Sequence, residues 1–224
     1  MKIQILLLST ALTMCALTAN AQSTTTFGIR GGMSMQNING KDMNDDALEM
    51  KFVPRFNVGV VVDFNVAPDF YFEPGLMYAT KGGKSEDSFL GMDMTAEYNL
   101  SYIEMPLNLL YKPMLGNGYF LLGFGPYIAY GIGGNAEFSI DGLSTDETIE
   151  FTDEYSSINP YGNSFKRIDY GGNLFFGYEM ANGITFQANC QLGLAKINAD
   201  NTTYPDNKTA FRNTGFGITL GYNF

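Results

Sequence analysis

The sequence has no histidine, no tryptophan and only two cysteines. Without histidine a Ser-His-Asp triad and any histidine-bearing zinc site are excluded. The chain opens with Lys2, an apolar run from Ile3 to about Ala19, and the small-residue site Ala19-Asn20-Ala21. This is the form of a cleavable export signal over residues 1–21, with cleavage expected after Ala21. Acylation at Cys15 is disfavoured by the bulky Met14 before it, and an uncleaved anchor by the shortness of the run. The remaining domain, 22–224, keeps Cys190 as its one thiol, so no internal disulfide can form. It also lacks any apolar stretch near the ~20 residues that a membrane helix needs. Basic residues are scarce, 13 against 23 acidic, for a formal net charge of -10. That balance argues against a nucleic-acid partner, whose phosphates call for clustered Lys and Arg.

What is abundant is glycine (26), phenylalanine (18) and tyrosine (14), in a chain that is 45% hydrophobic. Glycine and aromatics without paired cysteines point to many strands. Alternation of period two runs through the chain. At the C-terminus Phe216, Ile218, Leu220, Tyr222 and Phe224 share one face, and Gly217, Thr219, Gly221 and Asn223 the other. Eight such segments are expected, at about 24–34, 52–65, 69–81, 96–112, 118–133, 165–180, 183–197 and 210–224. Each exceeds the common strand of ~5–6 residues and reaches the ~9–11 needed to cross a bilayer at a tilt.

The pattern fits a closed barrel with its apolar face outward and polar face inward, or a soluble lipocalin-like barrel of the opposite sense. Connection lengths favour the first. Joins near 66–68, 113–117 and 181–182 are short, whereas those at about 35–51, 82–95, 134–164 and 198–209 are long. Strict alternation of short and long joins is the asymmetry of transmembrane barrels. Aromatics toward the segment ends, at Phe70, Phe72, Tyr78, Tyr98, Tyr111, Tyr130, Tyr178 and Tyr222, suit interfacial girdles. The terminal Phe224 resembles the signal read by the outer-membrane insertion machinery.

The stretch Tyr102-Ile103-Glu104-Met105-Pro106-Leu107-Asn108-Leu109-Leu110-Tyr111-Lys112 resembles a motif of the porin-like outer-membrane β-barrel proteins of Bacteroidetes (PorT-like). Phe72-Glu73-Pro74-Gly75-Leu76-Met77-Tyr78 with Lys81-Gly82-Gly83 resembles that family's preceding strand. Phe27 to Gly32 resembles its first strand and Gly118 to Gly125 its fifth. The resemblance implies an all-β, eight-stranded antiparallel up-and-down transmembrane barrel in the outer membrane. It implies no single activity, since the family holds members of unknown role beside a barrel associated with protein secretion.

Eight strands enclose an interior that side chains can fill. By parity Arg30, Arg55, Asp63, Glu73, Glu104, Asp169 and Glu179 point inward. Unpaired they would be costly, so Arg30 and Arg55 are expected to pair with members of the set Glu73, Glu104 and Asp63. A bulge near Pro74 or Pro106 would shift that parity. The lumen is then a plug of paired charges or a conducting path, and the plug is preferred. The join after 134 is acidic: Asp141, Asp146, Glu147, Glu150, Asp153 and Glu154 occur with no Lys or Arg between Ser139 and Tyr155. It lacks the Asp-x-Asp-x-Asp-Gly order of a calcium loop and reads as a solvated outer loop. Alternations at 136–140 and 148–152 suggest that strands five and six continue outward as a hairpin, or else two further strands of a ten-stranded barrel. Asn201-Thr202-Thr203 is a chance sequon.

Three functions are weighed: a non-enzymatic barrel that is structural or docks a protein partner through its outer loops; a narrow porin or component of a secretion or uptake assembly; and an outer-membrane enzyme. Only the acid pair Glu73 and Glu104 supports an enzyme, so none is expected. No cofactor or metal is expected. The expected surroundings are outer-membrane lipid, and the expected state is a monomer.

Overall fold

The computed structural model describes residues 25–41, 46–48, 50–89, 91–155, 164–203 and 208–224. The export signal expected at 1–21 lies outside them. Eight long strands run in order: β1 (Thr25–Lys41), β2 (Val53–Ala67), β3 (Phe70–Phe89), β4 (Met92–Tyr111), β5 (Gly118–Ile140), β6 (Ile168–Glu179), β7 (Ile184–Gly193) and β8 (Ala210–Asn223). Each pairs antiparallel with the next. The meander closes where β1 meets β8, from Gly28 opposite Asn223 to Lys41 opposite Ala210. Eight strands close the ring, with β5 directly beside β6, so the ten-stranded alternative does not hold.

The barrel is built inside out. Outward residues such as Phe124, 55% exposed, and Ile218, 66% exposed, are apolar, while inward Asp169 (0%) and Lys81 (1%) are charged and sealed. A lipocalin-like barrel would show the reverse. Around the wall Ile29, Val58, Leu76, Ile128, Leu174 and Leu220 continue one apolar band. A continuous outward apolar band of this kind is what a barrel presents to hydrocarbon.

Several strands run past that band. β3 and β4 continue as a ladder to Phe89 opposite Met92, turning at Gly91 with φ of 82°, so most of the join expected at 82–95 is strand. β5 reaches Ile140 and folds back onto Leu143–Thr148 through Asp141 and Gly142, both at positive φ. The outer hairpin is therefore made by β5 with its own returning segment, not by β5 with β6. Alternation stops earlier than the ladder because neither face of the protruding part meets lipid. On β5 a register shift opposite Ser101 and Tyr102 swaps the inward set from odd positions ending at Gly131 to even ones such as Ala136.

The prolines leave the parity intact. Pro74 interrupts the β2–β3 ladder, Pro106 the β3–β4 ladder and Pro126 the β4–β5 ladder, and in each case the same register resumes beyond the gap. Each ring removes a donor from one side only. Pro106 has room because its inward neighbour across the ladder is Gly75, whose missing Cβ would lie 3.1 Å from the proline ring.

Of the aromatics expected in the girdles, Phe70, Phe72, Tyr111, Tyr130 and Tyr222 are exposed on the wall, and Phe70 stacks on Tyr111 with centroids 4.9 Å apart. Tyr98 is a correction: it points into the barrel and is 1% exposed. A charge in the middle of the lipid face is the direct test of orientation. Ile218→Lys is expected to lower unfolding free energy by ~2–4 kcal/mol in urea titrations in phospholipid vesicles. A change as small as that of Ile218→Val would contradict the inside-out assignment.

Candidate functional site in the barrel lumen

Inward side chains form two charged networks. Nearer the short turns, Lys112 Nζ lies 2.7 Å from Glu179 and 3.5 Å from Asp63. Asn223 donates to Glu179 at 2.6 Å and accepts from Arg30 Nη1 at 2.7 Å. Arg30 Nη2 reaches Glu73 at 3.4 Å, and Asn108 donates to the other oxygen of Glu73 at 3.3 Å. The chain of contacts passes through β6, β8, β1, β3 and β4, so it ties the ring across its interior. Two cations serve three carboxylates here.

The second network surrounds Lys81. Its Nζ lies 2.7 Å from Glu104 and 3.1 Å from Asp169, and 4.0 Å from the centroid of the Tyr127 ring. Tyr127 Oη and Asn213 Nδ2 also donate to Asp169, at 3.3 and 3.0 Å. Gln191 donates to Glu104 and to Asn173, both at 2.9 Å. One ammonium thus sits between two carboxylates, with an aromatic face as further support. Between the networks lies a cavity of about 120 Å³ lined by Arg30, Glu73, Lys81, Glu104, Asn108 and Gln187 among others. It is polar and large enough to hold water between the networks. The tip of the Phe175 ring takes the space a side chain at Gly123 would fill, and the ring packs with Leu110 and Leu121.

Above Lys81 the interior changes character. Ile38, Leu100, Tyr98, Tyr102, Ile149, Phe165, Ile197 and Phe211 pack into a buried apolar cluster at the long-loop end. Ile149, Phe151 and Phe165 come from the join after β5 and fold into the mouth. Their backbone is held by Ile149 N–H to Gly134 O at 3.1 Å and Thr152 N–H to Phe165 O at 2.9 Å. Fully burying each such side chain contributes ~1.5–3 kcal/mol. The mouth is therefore stoppered by aromatic packing, and the charges lie below it.

The candidate residues fall as follows. Arg30, Asp63, Glu73, Glu104, Asp169 and Glu179 are buried in the two networks. Arg55 lies apart from them: it meets Glu97 at 3.1 Å and the carbonyl of Tyr98, nearer the mouth, and none of Glu73, Glu104 or Asp63. The partners sequence reasoning missed are Lys81 and Lys112. Parity alone could have found them, since Lys81 continues the inward series of Glu73 and Lys112 that of Glu104 and Asn108.

Outside the barrel, Asp141, Asp146, Glu147, Glu150, Asp153 and Glu154 are all exposed. Asp141 ties its turn to the neighbouring β3–β4 hairpin by accepting from Asp93 N–H at 3.1 Å. Among the described residues no three His, Cys, Asp or Glu side chains are grouped to hold a metal ion. The rim also carries ion pairs. Lys51 and Lys84 hold the Glu86 carboxyl below its usual range, and Lys166 and Lys196 do the same to Asp200.

The family model described as the outer membrane protein beta-barrel domain matches residues 20–199 of this chain. No curated protein sequence matches. Among solved structures the chain is similar to the Neisserial surface protein A, at 10% identity and a TM-score of 0.45 over 90% of this chain and 99% of that one. It is also similar to the attachment invasion locus protein Ail of Yersinia pestis, at 12% identity and 0.40 over 89% and 98%. A third is the outer membrane protein OprG of Pseudomonas aeruginosa, at 13% identity and 0.38 over 90% and 97%.

The networks differ in how they respond to loss of one member. Lys81→Met is expected to cost ~3–5 kcal/mol in urea unfolding, because two buried carboxylates lose their cation. Adding Glu104→Gln and Asp169→Asn should recover most of it. Arg55→Leu is expected to cost less than ~1 kcal/mol, since Glu97 is partly solvated. Equal losses for Lys81→Met and Arg55→Leu would refute the layering.

Proposed function

The chain belongs to the outer membrane protein beta-barrel domain family, and from that premise we propose a non-enzymatic, monomeric outer-membrane barrel with a closed lumen, whose work is structural or partner-docking through its long acidic outer loops. The observation that carries this reading is the double filling of the interior, by charge networks below and an aromatic stopper above, around a cavity of only about 120 Å³. An eight-stranded barrel leaves no aqueous channel once its inward side chains are packed. The carboxylates in the lumen are held by Lys81, Lys112 and Arg30 and are sealed from solvent, which suits them to support and not to acid-base chemistry on a substrate. The motif from Tyr102 to Lys112 further supports kinship with the PorT-like barrels of Bacteroidetes. Export follows from the signal at 1–21, cleaved after Ala21.

The competing reading, a narrow pore or a component of a secretion or uptake assembly, needs Ile149, Phe151 and Phe165 to leave the mouth and the two networks to part. Single-channel recording in planar bilayers separates the two. Folded protein, verified by heat-modifiable migration on gels, is expected to give no steady conductance. A steady open level would overturn the closed-lumen reading.

A further inference from the structure

Two hollows open on this side of the barrel, one at the rim beside the outer ends of β5 and β6 and one lower down, in the wall from β6 through β7 and β8 to β1. The upper one, about 500 Å³, lies at the rim and is lined by Lys166, Arg167 and Lys196 with Tyr130, Ile168 and Tyr170. Asp153 lines it too. Arg167 lies 5.4 Å from the Tyr130 ring on the wall and 5.3 Å from that of Phe151 in the stopper, which fixes its guanidinium at the rim. Lys166 and Lys196 converge on Asp200, at 2.7 and 2.6 Å, and that carboxylate is 51% exposed. Arg212 stands alongside, its Nε donating to Leu194 O at 3.4 Å. In a chain of net charge -10 this gathering of cations is unusual.

The lower hollow, about 530 Å³, is an apolar trough in the lipid-facing wall. Its floor is Ala188 and Cys190 on β7. Leu174 and Phe176 on β6 stand opposite them on one side, and Phe216 and Ile218 on β8 on the other. Small side chains in a row of large ones leave a hollow that extends across β8 to Met33 and Met35 on β1, and Leu192 and Leu194, 60% and 65% exposed, form the apolar wall between it and Lys196. Lys196 lies six positions beyond Cys190. At ~3.3 Å each that is at most about 20 Å of chain. With a strand tilt of ~40° the drop is at most about 15 Å, half of a ~30 Å hydrocarbon core.

We propose that this wall binds one phosphorylated lipid, its phosphate among Lys166, Arg167 and Lys196 and an acyl chain in the trough over Ala188 and Cys190. The proposal rests on the reading of the chain as an outer-membrane barrel with its long loops at the outer leaflet. Lysine and arginine at an interfacial aromatic level give charge-assisted bonds to phosphate, and basic pockets in a membrane protein's wall select anionic headgroups. Asp200 holds the two ammonium groups in place and competes with the phosphate for them. The trough sits one leaflet below, where an acyl chain attached to that headgroup reaches.

The test uses the full chain refolded in dodecyl maltoside and measures, by native mass spectrometry, binding of bisphosphorylated lipid A and of the same lipid stripped of phosphate. The phosphorylated form is expected to bind one to one and about tenfold more tightly. Lys166→Ala with Arg167→Ala and Lys196→Ala should erase that preference. Ala188→Leu with Cys190→Leu should weaken both lipids alike. Asp200→Asn should tighten the phosphorylated lipid alone, and inorganic phosphate should displace neither. Equal binding of the two lipids by the unmodified protein, a preference that survives the triple substitution, or displacement by inorganic phosphate would overturn the site. Heat-modifiable migration of each variant distinguishes a lost site from a lost barrel, and if the triple variant fails to fold, the unmodified protein and Asp200→Asn decide.

Discussion

Hydrocarbon offers the backbone no hydrogen-bond partner, so everything in this molecule depends on β1 closing onto β8. That seam runs from Gly28 opposite Asn223 to Lys41 opposite Ala210, and it turns a meander with two exposed edges into a wall with none. Closure with eight strands then dictates the interior. The bore is narrow enough that inward side chains touch across it, and Asn223 on β8 can bridge Arg30 on β1 and Glu179 on β6. The lateral wall and the polar interior are thus one solution: the ladder satisfies the backbone, and the space it encloses is too small for anything except side chains that satisfy one another.

Within that space the cost of burying charge sets the arrangement. Carboxylates in the lumen outnumber cations, so Lys81 and Lys112 each serve two of them and Arg30 is braced by Asn223 as well as Glu73. Buried ion pairs of this kind seldom add net stability over apolar packing, but removing one member leaves an uncompensated charge. What they add is specificity of register. A slip of one residue at any strand would turn its charges toward lipid and its aliphatic residues inward. The apolar stopper completes the design from above, since Tyr102 and Tyr127 close over Lys81 and separate the network from the loops.

Much of this was legible in the residues because a barrel wall has two chemically opposite faces, and alternation records both. The eight strands follow from parity, and the inward set from Arg30 to Glu179 from parity together with the alternation of short and long joins. The legible signal ends where lipid ends. Lys84 to Ser88 form ladder pairs as regular as those inside the membrane, yet with water on both faces nothing in their composition marks them as strand. The stopper was illegible for a different reason. Ile149, Phe151 and Phe165 find their partners on four other strands, and no local period announces a contact of that range. Arg55 shows the limit of parity itself: its inward direction is right, but its height along β2 carries it past Glu73 to Glu97.

The prolines, which look out of place in a barrel wall, follow one rule. Pro74, Pro106 and Pro126 lie on successive strands, and each opens the ladder only toward the strand before it. The gaps form a staircase. The partner of Pro74 across the next ladder is Leu107, adjacent to Pro106, and the partner of Pro106 is Tyr127, adjacent to Pro126. No strand loses both ladders at one height, so the wall stays closed across the gaps. Glu73 and Glu104 sit beside these steps. Gly75 and Pro106 take little space at the same level, and the internal cavity opens there. Glutamate close to proline on neighbouring strands, as in Glu73-Pro74 and Glu104-Met105-Pro106, is therefore a structural device: it sets a carboxylate inward, relaxes the ladder next to it, and leaves room for a cation from a nearby strand, Arg30 on β1 or Lys81 on β3.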